Sequence, residues 1–555
     1  MARSTLRLRP WQKRALDIYQ SDPKSDFLAV ATPGAGKTTF ALTVARMTLP
    51  QLQGRLVIVA PTKHLKEQWA DAAEHFGLIL DADWAPTDGL PSDMHGVVTT
   101  YQQVGSSPEA FVPIAAGGFV ILDEIHHAGE ERSWGEGVLT AFNSAARRLS
   151  LSGTPFRSDT RTIPFVEYRN DEVVPDVEYG YGDALTDGRV VRPVYFPAFG
   201  GDMEWSAPDG AVIAASFDDP LARTQSNQRL RAALSLEGDW LPTVLAHSHQ
   251  QLMKIRAGRH PEAGGLVIAM DQAHAWGIAE LLRSTFRVNA IVAVSDDPDA
   301  SAKISRFAGG DVPWIVAVRM ISEGVDIPRL RVGVYATTTT TELFFRQAVG
   351  RIVRYTPDKG RQRAYLFVPD DARLRLWSTT MSEVRRHRLE TRSEAETDDE
   401  YGQEEDPTAF DSMKEEQLSL FAVLSATASD PPPDLDIFSD EEDEDDLATG
   451  EQGAPETDDE LTLDLSLLPP AGPGMLTRRP DRRERDRLRD LNADLAREIA
   501  VMTGRSHAMV NAELNRLSGV TKVSEATLDL LNRRARLAED WLGRESKRAR
   551  MARFV

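Results

Sequence analysis

The stretch Ala31 to Thr39, ATPGAGKTT, limits what this chain can fold into more than any other. It follows an apolar run, Phe27-Leu28-Ala29-Val30, that reads as a strand, and it precedes Phe40-Ala41-Leu42-Thr43-Val44-Ala45, which reads as a helix. A Gly-rich turn between a strand and a helix is what a phosphate-binding loop requires. Gly34 and Gly36 let backbone N–H groups converge on phosphate oxygens, Lys37 adds a charge, and the Thr38 hydroxyl can ligate Mg²⁺. Pro33, Ala35 and Thr39 complete the loop, and Ala31 stands where the strict pattern has its first Gly. The expected ligands are a nucleotide and Mg²⁺.

Upstream, Leu6-Arg7-Leu8-Arg9-Pro10-Trp11-Gln12 leads into a helical pattern through Ala15, Leu16, Ile18 and Tyr19. The Gln12 amide can pair with a donor and an acceptor at once, as an adenine edge demands. Downstream, Arg55 to Ala60 reads as a buried strand ending at Pro61-Thr62-Lys63, and Val97 to Tyr101 as a strand whose end, Thr99-Thr100, carries hydroxyls. Phe119 to Leu122 is a further apolar strand, ending in Asp123-Glu124-Ile125-His126-His127. Strands alternating with helices predict a parallel sheet that gathers these polar groups on one edge. There Asp123 can hold Mg²⁺ through water, and Glu124 can orient and deprotonate the water that attacks a γ-phosphate. A zinc site at His126 and His127 would need further ligands at suitable spacing, so a polar coupling role is the reading for His126. Ser152 and Thr154, in the strand and turn Leu149 to Arg157, can hydrogen-bond to that acidic edge.

A second α/β unit begins near Leu234, with strands at 266–270, 290–294, 314–318, 332–335 and 364–368. Two polar clusters punctuate it: Ser322-Glu323-Gly324-Val325-Asp326, and Gln347 to Arg354 on a helix starting near Thr341. Gln347, Arg351 and Arg354 fall at i, i+4 and i+7, on one helical face, with Gly350 permitting close approach. Arginines offered by a second domain to a phosphate loop are what γ-phosphate cleavage uses against transition-state charge.

This ordered set resembles a superfamily two helicase core, in the group with XPB-type and type III restriction-type helicases, from Leu6 to about Val368. Gln12 matches the adenine motif, Ala31 to Thr39 motif I, Ala60 to Lys63 motif Ia and Thr99 to Tyr101 motif Ib. Asp123 to His126 matches motif II as a DEIH box, Ser152 to Thr154 motif III, Ser322 to Asp326 motif V and Gln347 to Arg354 motif VI. The resemblance implies two RecA-like domains with ATP between them and a nucleic-acid strand across both, contacted by Pro61, Thr62, Thr99, Thr100 and Gly324. It puts Lys37 and Thr38 on phosphate and Mg²⁺, Asp123 on Mg²⁺, Glu124 as base, Arg351 and Arg354 on the γ-phosphate and Asp326 near the ribose. Motif III departs from the commoner Ser-Ala-Thr at Gly153, and motif V has Val318 in place of Thr. The activity implied is ATP-driven translocation on or unwinding of nucleic acid, with DNA preferred over RNA by the group. A DNA-stimulated remodeller that does not unwind and an ATP-switched regulatory protein are the alternatives.

The chain has no cysteine, which excludes disulfides, Cys-ligated zinc and iron–sulfur clusters. With neither a charged-then-apolar leader nor an apolar run near 18 residues, a cytoplasmic chain without a membrane span is expected. The net charge of −21 is unevenly spread. Between Ser393 and Pro470 there are 27 Asp and Glu against one Lys, Lys414, so the remainder of the chain is net positive. That composition predicts a disordered acidic linker, interrupted by apolar islands at 418–424 and 461–468. Beyond Met475 the sequence turns basic, with stripes on Leu488, Leu491, Leu495 and Ile499, then Met509 to Leu517, then Leu528 to Leu537. Ser506 and Ser524 are the expected helix N-caps, and Gly504 and Gly519 the expected stops. The expected organisation is a RecA-like domain at 1–175, an irregular connection at 176–233, a second RecA-like domain at 234–392, the acidic linker at 393–472 and a basic three-helix domain at 473–555. The linker and the helices are the candidate surfaces for protein partners.

Overall fold

The computed structural model describes residues 5–129, 132–153, 163–169, 172–207, 210–294, 297, 299–318, 327–357, 359–360, 362–393, 422–429, 461–464 and 482–552. Apolar runs without an alternating polar face must be covered on both sides, and here they pair into two largely parallel sheets. The first has seven parallel strands in the order Val177–Tyr179, Asp26–Ala31, Arg147–Ser152, Phe119–Leu122, Leu56–Ala60, Gly96–Thr100 and Leu80–Asp81. Successive side chains divide between its faces. Leu56, Ile58 and Ala60 pack with helices Pro10–Ser21, Lys37–Thr48 and Lys63–His75, while Val57 and Val59 pack with Tyr101, Val104 and Val138 on the other side. Because the strands are parallel, the loops after Ala31, Ala60, Thr100, Leu122 and Ser152 open on one edge.

The second sheet has the parallel core Ala290–Ala293, Trp314–Ala317, Gly264–Ala269, Leu330–Ala336 and Ala364–Pro369. These correspond to the five strands read from the sequence. Val194–Tyr195 and the start of Ala198–Ser206 extend it in parallel beside Ala364–Pro369. The rest of Ala198–Ser206 then lies antiparallel between Val212–Ser216 and Ala422–Ser429. The fold class is therefore two RecA-like α/β domains followed by an all-α C-terminal unit.

Two expectations change. The stretch 176–233 is no irregular connection: Val177–Tyr179 belongs to the first sheet, and Val194–Tyr195, Ala198–Ser206 and Val212–Ser216 belong to the second. In the acidic segment, Ala422–Ser429 is a strand of the second sheet, and Leu461–Asp464 pairs antiparallel with Thr5–Leu8. A sheet edge recruits a segment through its backbone, so an acidic neighbourhood does not prevent pairing where the side chains are small. Ala426 is buried, and its carbonyl accepts from Asp239 N at 2.8 Å. Gly201, at φ 143°, lets the Thr427 carbonyl occupy the space a Cβ would take. The remainder of 394–481 lies outside the described residues.

The C-terminal helices are Arg482–Thr503, His507–Ser518 and Leu528–Ala552. Ser506 caps the second, accepting from Met509 N, and Gly519 ends it in the left-handed region. Ser524 does not cap the third; Thr527 Oγ1 does, accepting from Leu530 N at 3.4 Å. The bundle is fixed to the first domain. Arg485 pairs with Asp93, Leu528 N donates to Asp93 Oδ2 at 2.9 Å, Arg489 lies 3.4 Å from Asp81, and Gly89 N donates to Glu525 at 3.2 Å.

Candidate functional site

The loop 31–37 is held from outside by the turn that precedes it in sequence. Arg9 Nη1 donates to Gly34 O at 2.7 Å, Trp11 Nε1 to Ala35 O at 2.9 Å and Gln12 Nε2 to Gly36 O at 2.9 Å. Trp11 in turn stacks on Tyr179, 5.2 Å away, from the strand that flanks the loop strand. Gln12 also accepts from Arg9 N at 2.8 Å and is only 2% exposed, so its amide braces the loop backbone. Gly34 and Gly36 take φ of 84° and 89°, and a Cβ on Gly36 would meet Gln12 Nε2 at 2.7 Å. Gly34 is thus required by conformation, and Gly36 by conformation and space together. Lys37 begins the following helix, with Thr38 and Thr39 in its first turn, so the helix N-terminus opens at the loop.

On the same edge, Lys37 Nζ lies 3.0 Å from Glu124 Oε1 and 3.2 Å from Ala31 O. Glu124 Oε2 accepts from Gly153 N at 2.8 Å. Its backbone sits at φ 47°, a conformation costly for a side chain larger than Gly and held here by both contacts. Burial resists its ionisation, but the charge of Lys37, followed by His126, holds the Glu124 carboxyl below the usual carboxylate range. Asp123 goes the other way: burial, then the neighbouring Glu124 charge, raises it. Its Oδ2 accepts from Trp69 Nε1 at 2.8 Å, and its carbonyl accepts from Tyr101 OH at 2.9 Å.

His126 links the two domains. Gln347 Nε2 lies 3.4 Å from His126 Nε2. On its other side, His126 Nδ1 faces Ser152 Oγ at 3.4 Å and Glu124 Oε2 at 3.7 Å. From the second domain, helix Glu342–Ile352 packs Gly350 against Pro33, and Arg354 Cγ lies 3.5 Å from the position a Gly34 Cβ would take. Gln347 and the largely buried Arg351 are on that helix. Arg354 is not: Val353 is the C-cap, and Arg354 pairs with Val191 in an isolated bridge. The single helical face expected for all three ends at Arg351.

Thr99, expected on a nucleic-acid strand, is buried and donates to Gln103 Oε1 at 2.9 Å. Thr100 Oγ1 caps helix Tyr101–Ser106 by accepting from Gln103 N. Both hydroxyls are thus committed within the first domain, whereas Pro61 and the helix N-cap residue Thr62 are half-buried at the open edge. Thr154, Gly324 and Asp326 lie outside the described residues.

Four further residues belong to the site. Arg9 and Trp11 brace the loop, Trp69 holds Asp123, and Arg192 binds main-chain oxygens beside Arg354. Arg192, a lone charge in the apolar run Val190 to Val194, was a legible signal of a buried partner. Among the described residues, no three His, Asp or Glu side chains converge as a metal cage. One hydroxyl, Thr38, and one carboxylate, Asp123, is a donor set that fits Mg²⁺ carried on phosphates and completed by water.

Residues 5–157 match the family model described as type III restriction enzyme, res subunit. The chain is 44% identical over 391 residues to the uncharacterized protein Rv2917 of Mycobacterium tuberculosis, covering 69% of this chain and 64% of that protein. It is 36% identical over 559 residues to the uncharacterized protein ML1624 of Mycobacterium leprae, covering 95% of this chain and 92% of that one. A more distant relative is the DNA 3'-5' translocase XPB2 of Sulfurisphaera tokodaii, 22% identical over 381 residues, 64% of this chain and 80% of that one. The match thus spans about two thirds of Rv2917 and nearly all of ML1624. With this motif order carried on two parallel sheets, the chain belongs to the type III restriction-like group of superfamily two helicases, in one family with the Mycobacterium leprae protein ML1624.

Proposed function

We propose that this chain hydrolyses ATP to move along nucleic acid, with DNA as the track. The observation that carries the reading is the meeting of Lys37, Glu124 and the Gly153 N–H on one domain with Gly350 and Arg354 of the other, all around a single Gly-rich loop. The loop N–H groups and Lys37 bind the β- and γ-phosphates, and the fixed φ of the glycines keeps those donors pointed inward. Thr38 and Asp123 would hold Mg²⁺, which when bound neutralises phosphate charge. Glu124, ionised at neutral pH, accepts the proton of the attacking water, and its contact with Gly153 N fixes the carboxylate direction. Arg351 and Arg354 meet developing charge on the γ-phosphate from the second domain, so hydrolysis requires the domains to be together. His126, touching Ser152 and Gln347, carries the state of Glu124 across the domain boundary.

DNA is preferred because a sequence relative of named activity is a DNA translocase. Pro61 and Thr62, on the open edge of the first sheet, are the strand contacts proposed there, and Gly324 is proposed as a further one by its motif; Asp326 is assigned the ribose. The test is ATP turnover across single-stranded DNA, duplex, forked DNA and RNA, with strand displacement measured on the fork. The reading expects stimulation by DNA. Turnover that no nucleic acid stimulates would overturn it, and displacement separates unwinding from tracking along the duplex.

A further inference from the structure

The chain passes from the first sheet to the second along residues 180–193, between strand Val177–Tyr179 and strand Val194–Tyr195. At the end of this crossing stands Arg192, 1% exposed. Its Nη1 donates to Leu330 O at 3.2 Å. Its Nη2 lies 2.9 Å from Pro328 O and 3.1 Å from Thr356 Oγ1, and it also meets the Arg354 carbonyl. The Arg192 N–H donates to Val353 O at 2.7 Å, and Val191 bridges to Arg354. One side chain therefore ties together the residues following 322–326, the end of the Gln347 helix and the interdomain crossing. These four acceptors are met from two nitrogens of one planar fork, whereas an ammonium carries three N–H groups on a single nitrogen and would leave at least one of them unmet.

We propose that Arg192 is a positioning residue for hydrolysis: from the interdomain crossing it fixes the backbone of Arg354, so that the Arg354 side chain is delivered to the phosphate loop at Gly34. Arg354 stands beyond the end of its helix, and there Val191 bridges to it and Arg192 meets its carbonyl. A crossing segment that shifts with the first domain thereby moves the arginine of the second. This inference rests on the proposed ATP hydrolysis and on the role of Arg354 in it.

The experiment is a double-mutant cycle on the full chain, with Arg192→Lys and Arg354→Ala made singly and together. Steady-state ATP turnover, the Kd of a fluorescent ATP analogue and thermal melting are the readouts. Arg192→Lys keeps the charge but loses the fork, and kcat is expected to fall about 100-fold with Kd within about twofold, as for a displaced catalytic group. In the Arg354→Ala background the same change should cost less than about twofold more, because its route of action is already gone. Equal losses in both backgrounds, a Kd that moves in step with kcat, or an unchanged kcat would each overturn the proposal. Should Arg192→Lys fail to fold, Thr356→Val removes one Nη2 acceptor alone. It is expected to lower kcat about threefold in the wild-type background only, and no loss overturns the idea. Absence of ATP turnover in the unmutated chain would overturn the hydrolysis itself, a failure distinct from any difference among the variants.

Discussion

Gly350 and Pro33 meet across the domain boundary so closely that a Cβ on Gly350 would lie 2.5 Å from Pro33 Cγ and 2.8 Å from Pro33 Cβ. The second domain thus rests on the phosphate loop through a position that admits no side chain. Gly350→Ala should push the helix off the loop and lower kcat by about tenfold or more through misplacement of Arg351 and Arg354. Alanine favours the helix itself by about 1 kcal/mol over glycine, so the melting temperature should not fall. A variant with normal turnover would show that this contact is not part of the hydrolytic state.

Glu124→Gln tests the division of labour on the acidic edge. Glutamine keeps an acceptor for Gly153 N but cannot take a proton, and the Asp123 carboxylate remains. ATP binding should persist while kcat falls about 10²- to 10⁴-fold, the range for loss of a general base. Equilibrium binding of a fluorescent ATP analogue beside turnover measures both, and loss of binding would contradict the assignment.

Much of this edge was readable because its signals are local. A glycine-rich turn, a Lys-Thr pair and an Asp-Glu pair after apolar strands each carry their chemistry within a few residues. What escaped depends on distant partners. Val177–Tyr179 and Val194–Tyr195 are too short to show a period, and only their neighbours, Asp26–Ala31 and Ala364–Pro369, make them strands. Ala422–Ser429 is defined by Gly200 to Ser206, more than 200 residues earlier, and its acidic surroundings pointed to disorder. Gln12 was legible as a site residue, but its seat on Gly36 was not, since an amide serves a backbone as well as a base. The i, i+4, i+7 spacing of Gln347, Arg351 and Arg354 assumed a helix that stops at Ile352.

The C-terminal bundle should depend on one buried ion pair. Arg485 and Asp93 are both largely shielded from water. Asp93→Ala strands the Arg485 charge, which costs about 3–5 kcal/mol when a buried pair is broken. The bundle should then detach, with amide exchange rising at Gly89 and through 523–531 while strand Phe119–Leu122 stays protected. Unchanged exchange at those positions would count against the docking.

Acid should weaken the first domain through His95. Burial, reinforced by Arg46 and Arg55, lowers it from 6.5 to about 4, and its Nδ1 accepts from Ile79 N at 2.9 Å. A folded-state value below the unfolded one means the unfolded chain binds the proton first. The stability it contributes is therefore full above pH 6.5 and is lost as pH falls towards 4, at most on the order of 3 kcal/mol. His95→Asn retains an acceptor without titrating, so its melting temperature should fall less steeply over that range. Parallel curves for the two proteins would refute the linkage.

The acidic stretch between the two docked strands offers a further comparison. Ala422–Ser429 anchors it to the second domain and Leu461–Asp464 to the strand leading into Arg9 and Gln12. If its carboxylates compete with nucleic acid, replacing 430–460 with a neutral Gly/Ser linker of equal length should tighten DNA binding at low salt. The two proteins should converge as the Debye length falls below about 10 Å. Equal affinities at low salt would remove competition from the account.

The central claim is that the Ala31 to Thr39 loop hydrolyses ATP in response to DNA, and steady-state phosphate release with and without DNA tests it most directly. The unmutated chain should turn over ATP faster with DNA present, and Lys37→Ala should lose about 10³-fold or more under both conditions. Phosphate release that ignores DNA, or that survives Lys37→Ala unchanged, would contradict it.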